Sequence, residues 1–216
     1  MSETDSFIDE VNDEVRRDRL YGLLRRYGWI AVLVVLAIVG GAAWNEFQKA
    51  RERAASEAFG DAILDALDEA DSDARIAALE AVPTSTPGQA ALAAFLASSE
   101  AAAGADDPAR AAAALDGQQF DGIYGDIATF KKLILEAGVT PAAERRDGFR
   151  ALAAPGNPLR LLAEEQIALT HVEEGATDEA LQVLQSILAD AEVTQGLRQR
   201  ASQLIVALGG EPGSGA

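Results

Sequence analysis

No cysteine occurs anywhere in the chain, which removes disulfides, thiolate nucleophiles and cysteine-based metal sites together and leaves the redox compartment open. Histidine is almost as scarce. His171 stands alone, four residues before Gly175, and a solitary histidine on a helix reads as a packing or surface residue. Aromatic residues make up only 6% of the chain. Basic residues number 18 against 35 acidic ones, and the resulting formal net charge of -17 makes nucleic acid a poor partner. No glycine-rich phosphate loop or nucleophile elbow is present. Asp121 and Asp126 flank a glycine-rich stretch, Asp121-Gly122-Ile123-Tyr124-Gly125, but without calcium-loop spacing it reads as a solvated loop between helices. With no convergent ligands or catalytic groups, the expectation is a protein that is no enzyme and holds no metal, cofactor or small-molecule substrate.

What the chain does contain is alanine and one uninterrupted apolar run. Alanine supplies much of the 49% hydrophobic share, and it favours helix over every other state. The run is GWIAVLVVLAIVGGAAW, residues 28–44, without a charge, amide or hydroxyl. With its flanks it reaches about twenty residues, which at about 1.5 Å per residue matches a hydrocarbon core about 30 Å thick. Tyr21, Tyr27 and Trp29 mark one end, and Trp44 and Phe47 the other, as in interfacial belts. A transmembrane helix is therefore expected over residues 27–47, with Gly28, Leu36 and Gly40 along it. A cleaved signal peptide is the alternative, since Gly40 and Ala42 suit a peptidase site. Against it stand the length of the preceding tail and a helical pattern that continues past Trp44.

Orientation follows from the basic residues near the span. Arg16, Arg17, Arg19, Arg25 and Arg26 precede it, whereas Lys49, Arg51 and Arg53 follow it. The positive-inside rule then keeps the N-terminus in the cytosol. The expected division is a charged cytosolic tail over residues 1–26, the membrane helix over 27–47, a helical domain across the membrane over 48–208, and a glycine-rich, disordered tail over 209–216.

Beyond the span, Phe47, Ala50, Ala54, Phe59, Ile63 and Leu67 keep helical spacing, so the membrane helix is expected to run on into the domain. A short helix is predicted over residues 72–81, then a loop over Thr84-Ser85-Thr86-Pro87-Gly88. From there the chain repeats. Gly104, Gly138 and Gly175 each close an apolar helical run, and each is followed five residues later by an alanine: Ala109, Ala143 and Ala180. The glycines lie 34 and 37 residues apart, the period of tetratricopeptide helix pairs. Glycine ends the first helix of a pair in a tight turn, and the alanine is expected to let the second pack closely on it. Asp106-Asp107-Pro108, Thr140-Pro141 and Thr177-Asp178 supply helix-start residues, with proline at the first helical position in two of them. Residues 161–188 hold the clearest repeat, and a last helix over 194–208 is expected to cap the stack. The fold class is all-α: one N-terminal transmembrane helix followed by a tetratricopeptide-repeat-like α-solenoid. An unrelated antiparallel helical bundle is the rival.

This order of parts resembles the ancillary SecYEG translocon subunit family, the YfgM-like proteins. The most distinctive stretches are PGNPLRLLAEEQIALTHVEEG (155–175) and GLRQRASQLIVALGG (196–210), which look like the alphaproteobacterial branch. The resemblance implies a single-pass protein of the bacterial inner membrane whose repeats face the periplasm. It also implies association with the Sec translocon and periplasmic chaperones. On the residues alone, repeats without chemistry point to a protein-interaction module beside the membrane, its acidity favouring basic or unfolded clients or serving solubility. A scaffold or envelope-assembly factor coordinating cell-wall or division machinery is the alternative. Around Phe95, Phe130 and Gln166, on the first helices of the pairs, a binding face is expected, although the same positions suit a core.

Overall fold

The computed structural model describes residues 3–116 and 120–212, with side chains from Arg25 onward except Ala31. Every regular element among them is helical: α1 (Glu3–Leu67), α2 (Ser72–Ala81), α3 (Pro87–Ala103), α4 (Pro108–Asp116), α5 (Ile123–Leu135), α6 (Ala142–Leu152), α7 (Arg160–Glu173), α8 (Thr177–Ala189) and α9 (Gln195–Ala207). They fall into two compact units, Met1–Ala58 and Phe59–Ala216.

The first unit is the N-terminal part of α1. From Trp29 to Trp44 its large apolar side chains are exposed, Leu36 at 60% and Trp44 at 66%, and none of its most apolar window is buried. Trp44 and Phe47 lie against each other, and Arg51 covers the Phe47 ring at 4.8 Å. The helix is long and apolar enough to cross a membrane. Arg25 and Arg26 are exposed on it. Arg16, Arg17 and Arg19 lie on the same helix, their side chains outside the described residues.

In the second unit each helix packs chiefly on its neighbours in sequence, with α3 also reaching α5. That nearest-neighbour pattern is the mark of a solenoid. Three apolar clusters follow one another along it. Ile63, Ile76, Leu79, Ala97 and Ala101 join the end of α1 to α2 and α3; Phe149, Leu152, Ala163 and Ile167 join α6 to α7; Ala168, Leu184, Ile187, Leu197 and Ile205 join α7 to α9. Alanine supplies five of the nine buried residues of the first.

Local chemistry sets the helix starts. Asp71 accepts from the Ala74 N–H at 2.8 Å to cap α2, Asp107 from the Arg110 N–H at 2.9 Å to cap α4, and Thr194 from the Leu197 N–H at 3.3 Å to cap α9. At α3 Thr86 accepts from the Gln89 N–H, while Gln89 Oε1 accepts from the Ser85 N–H at 2.8 Å. This reciprocal arrangement resembles a capping box. It draws Pro87 and Gly88 into the first turn, so the loop expected over Thr84–Gly88 ends at Thr86. Two other starts differ from expectation. Pro141 is the residue before α6 instead of its first, and neither Thr140 nor Thr177 caps through its side chain. The glycine-rich stretch after Asp121 is likewise helical from Ile123, because Gly122 turns the chain at φ 58° and α5 begins there.

The repeat turns also need correction. Gly138 and Gly175 take φ of 81° and 73°, the left-handed conformation glycine tolerates. Gly104 remains at φ -88°, and its bare Cα leaves room for Glu100 Oε1 and Ser72 Oγ, which would lie 2.2 Å and 2.5 Å from a Cβ there. Ala180 is buried, whereas Ala109 and Ala143 are exposed. The cause is turn length, since α4 and α6 each start two residues later after their glycine than α8 does. Ala180 is the fourth residue of α8; the fourth residues of α4 and α6 are Ala111 and Arg145, and both are buried. In the second pair close approach comes instead from Gly148, where a Cβ would meet the Leu133 methyls at 2.8 Å.

Candidate functional site

A groove of about 650 Å³ opens across α5, α7 and α9, between the first helices of the second and third pairs and the terminal helix. Its apolar wall is Phe130, Leu162, Leu169 and Leu204, with Gln166 and Gln203 beside them. Leu162, Gln166 and Leu169 lie at positions i, i+4 and i+7 of α7, so one face of that helix supplies one side of the groove and α9 the other. Phe130 is fixed from behind by an edge-on contact with Phe149, ring centres 5.7 Å apart. It therefore serves the core and the groove at once.

One ion pair sits in this wall. Glu165 is buried, 6% exposed, and accepts two hydrogen bonds of 2.7 Å from Arg200 Nε and Nη2. Such a two-pronged pair gives a carboxylate hydrogen-bond partners in place of water. Its hydrogen bonds hold the Arg200 guanidinium above the usual range although desolvation opposes this. Arg200 itself is half-exposed, so the pair tethers α9 to α7 while leaving a cationic edge on the groove.

Of the residues expected on a binding face, Phe130 and Gln166 line this groove, whereas Phe95 lies outside it. Phe95 stacks with Phe120, centres 5.7 Å apart, and Lys131 Nζ lies 5.8 Å from its ring centre. The sequence reading missed Glu165 and Arg200, which are 35 residues apart, so no local spacing could have joined them. It also missed Leu162 and Leu169, although their helical spacing was available.

The remaining polar clusters hold the stack together. Arg145 and Arg146 on α6 reach Glu173 and Glu174 at the end of α7, and Arg146 Nε donates to Thr170 Oγ1 at 3.0 Å. Arg160 joins Glu164, Asp190 and Glu192 at the other end. Asp126 accepts from Asn157 Nδ2 at 3.0 Å. Among the described residues no group of three His, Asp or Glu side chains is arranged to hold a metal. Smaller hollows lie among the alanines of α3 and α4, about 300 Å³, and beside the loop at Gly156–Pro158, about 420 Å³. The second also sets leucines, Leu161, Leu162 and Leu197, beside an ion pair, Arg160–Glu192, but it is smaller than the α5–α7–α9 groove.

Residues 25–147 match the family model of the tetratricopeptide repeat-like domain. The matched stretch runs from the apolar helix into α6, so it includes Phe130 and ends before α7. No curated protein and no solved structure matches the chain significantly.

Proposed function

Because this chain belongs to the tetratricopeptide repeat-like domain family, we propose that it is a protein-interaction module tethered to a membrane by its N-terminal helix, with the α5–α7–α9 groove as its binding face. Repeat domains of this kind bind other proteins and are typically non-catalytic. The groove carries the reading: it offers leucine and phenylalanine side chains on a rigid helical face, with the single buried acid already matched by Arg200.

The tether reading rests on the unbroken apolar surface of α1, which water does not favour and lipid does. In the proposed arrangement residues 27–47 span the bacterial inner membrane once, residues 1–26 stay in the cytosol and residues 48–208 lie in the periplasm. The order of anchor and degenerate repeats supports an ancillary subunit of the Sec translocon that links it to periplasmic chaperones or secreted clients. A photo-crosslinking amino acid at Leu169, expressed in intact cells, is expected to capture translocon subunits or chaperones. Capture of division or envelope-assembly proteins in their place would assign the scaffold role instead, and recovery of no partner would remove the groove as a binding face.

A further inference from the structure

Past the apolar run, α1 goes on as helix for roughly four turns before its side chains begin to bury. From Asn45 to Ala58 every one is exposed, and the first buried side chain of the helix among the described residues is Ile63. Phe47, Ala50 and Ala54 follow one another here at spacings of three and four, so they share one face, while Glu52 and Ser56 lie on the opposite one. Read backwards, the same alternation reaches Ala43, Gly40, Leu36 and Leu33. Three and four in turn, kept over about three heptads, is the seam along which two parallel helices pack. Inside the run every position is apolar and only the register marks the seam. Beyond Trp44 the seam is selective, because most other positions up to Ala58 are polar or charged.

The two edges of this seam carry opposite charges. Glu46 stands just before Phe47 on one edge, and Arg51 just after Ala50 on the other. In a parallel pair of helices such an edge residue meets the residue five positions on in its partner, so Glu46 of each copy faces Arg51 of the other, twice by symmetry. Within one chain neither is well matched. Glu46 reaches only Arg53, at 3.9 Å with both side chains exposed, and Arg51 lies over the Phe47 ring at 4.8 Å without a carboxylate partner among the described residues. The next two seam positions are Glu57 and Asp61, where a second copy would set like charges opposite each other. The pairing is therefore bounded at Ala54. Lipid does not account for Ala50 and Ala54, which follow the 27–47 span, and the repeat domain leaves both exposed.

We propose that α1 pairs in parallel with α1 of a second copy of this chain along residues 33–54, with Glu46 and Arg51 crossing between the copies. This rests on the membrane tether, which gives both copies the same orientation, and it is independent of the groove. A paired anchor presents two repeat domains from one point in the membrane, so a partner with two binding segments is held more tightly than by one copy.

The test uses the full chain in isolated membranes, where the absence of native cysteine lets a single thiol report proximity. Copper-phenanthroline oxidation is expected to give a disulfide-linked product of twice the chain's mass for Ala50→Cys and Ala54→Cys, and about fivefold less of it for Glu52→Cys and Ser56→Cys on the opposite face. In the Ala54→Cys chain, Glu46→Arg is expected to lower the crosslinked fraction about threefold, and adding Arg51→Glu to restore it. Equal crosslinking at all four positions, or a product of any other mass, overturns the second copy as the occupant of the seam. An unchanged yield with Glu46→Arg, or no recovery in the double exchange, overturns the parallel pairing. No crosslink at any position in chains that stay in the membrane through an alkaline carbonate wash overturns this inference alone. Release of the chain by that wash overturns the tether and this inference with it.

Discussion

His171 sits on α7 with its Nδ1 buried and without a hydrogen-bond partner among the described residues. Desolvation first, and then the Arg146 guanidinium, hold its pKa below the ordinary 6.5; Glu179 and Glu174 oppose them, while Arg150 adds to them. The folded state therefore binds this proton more weakly than the unfolded chain. Stability is untouched above about pH 6.5 and falls as the pH drops below it, through the depressed folded value, because the unfolded state gains the proton first. Thermal unfolding of the wild type between about pH 7.5 and about pH 5.5, a range that brackets the imidazole, is expected to lose more Tm than that of His171→Gln. Equal losses would mean that acid sensitivity comes from the carboxylates alone. The sequence shows that His171 is solitary and says nothing of Arg146, which lies on another helix. Its environment was legible only once α6 and α7 were packed.

At the scale of elements, the junction of α6 and α7 depends on charge where the other pairs depend on alanine. Arg145 takes the position that Ala111 and Ala180 fill in α4 and α8, and its guanidinium runs to Glu173 while Arg146 joins Glu174 and Thr170. Thr170 is 1% exposed and donates to the Ile167 carbonyl at 2.7 Å, so Arg146 is the donor that satisfies its remaining acceptor capacity. Arg146→Met removes that donor and frees Glu174, which is already partly in water. The expected cost is about 2 kcal/mol in urea unfolding, more than an exposed ion pair is worth. A change under about 0.5 kcal/mol would place the junction's stability in the Phe149 cluster alone. Helix positions and the repeat glycines were readable because periodicity, caps and left-handed turns are local. Ala109 and Ala143 were misplaced because two extra turn residues rotate α4 and α6 relative to α8, and glycine spacing cannot report that rotation. Phe130 and Gln166 were found through their place on first helices; the Glu165–Arg200 pair needed the third dimension.

For the whole molecule, composition alone misleads about the groove, since the average charge is strongly negative while the groove's buried acid, Glu165, is matched by Arg200. The apolar N-terminal helix, in contrast, is legible without any structure, because its signal is a continuous run that no packing arrangement needs to explain. What the run leaves to experiment is direction, and here the absence of cysteine is useful. A single introduced thiol gives unambiguous labelling in an otherwise unreactive chain. The proposed topology predicts that Ser186→Cys, exposed on α8, reacts with a membrane-impermeant maleimide once the outer membrane is opened. Ser6→Cys, in the segment assigned to the cytosol, should react only after the inner membrane is disrupted. Both positions precede or follow the run without touching it, so neither change alters the span. Labelling in the reverse order would invert the topology and place the groove among cytosolic partners. Labelling of both sites before disruption would mean that residues 27–47 do not cross the bilayer.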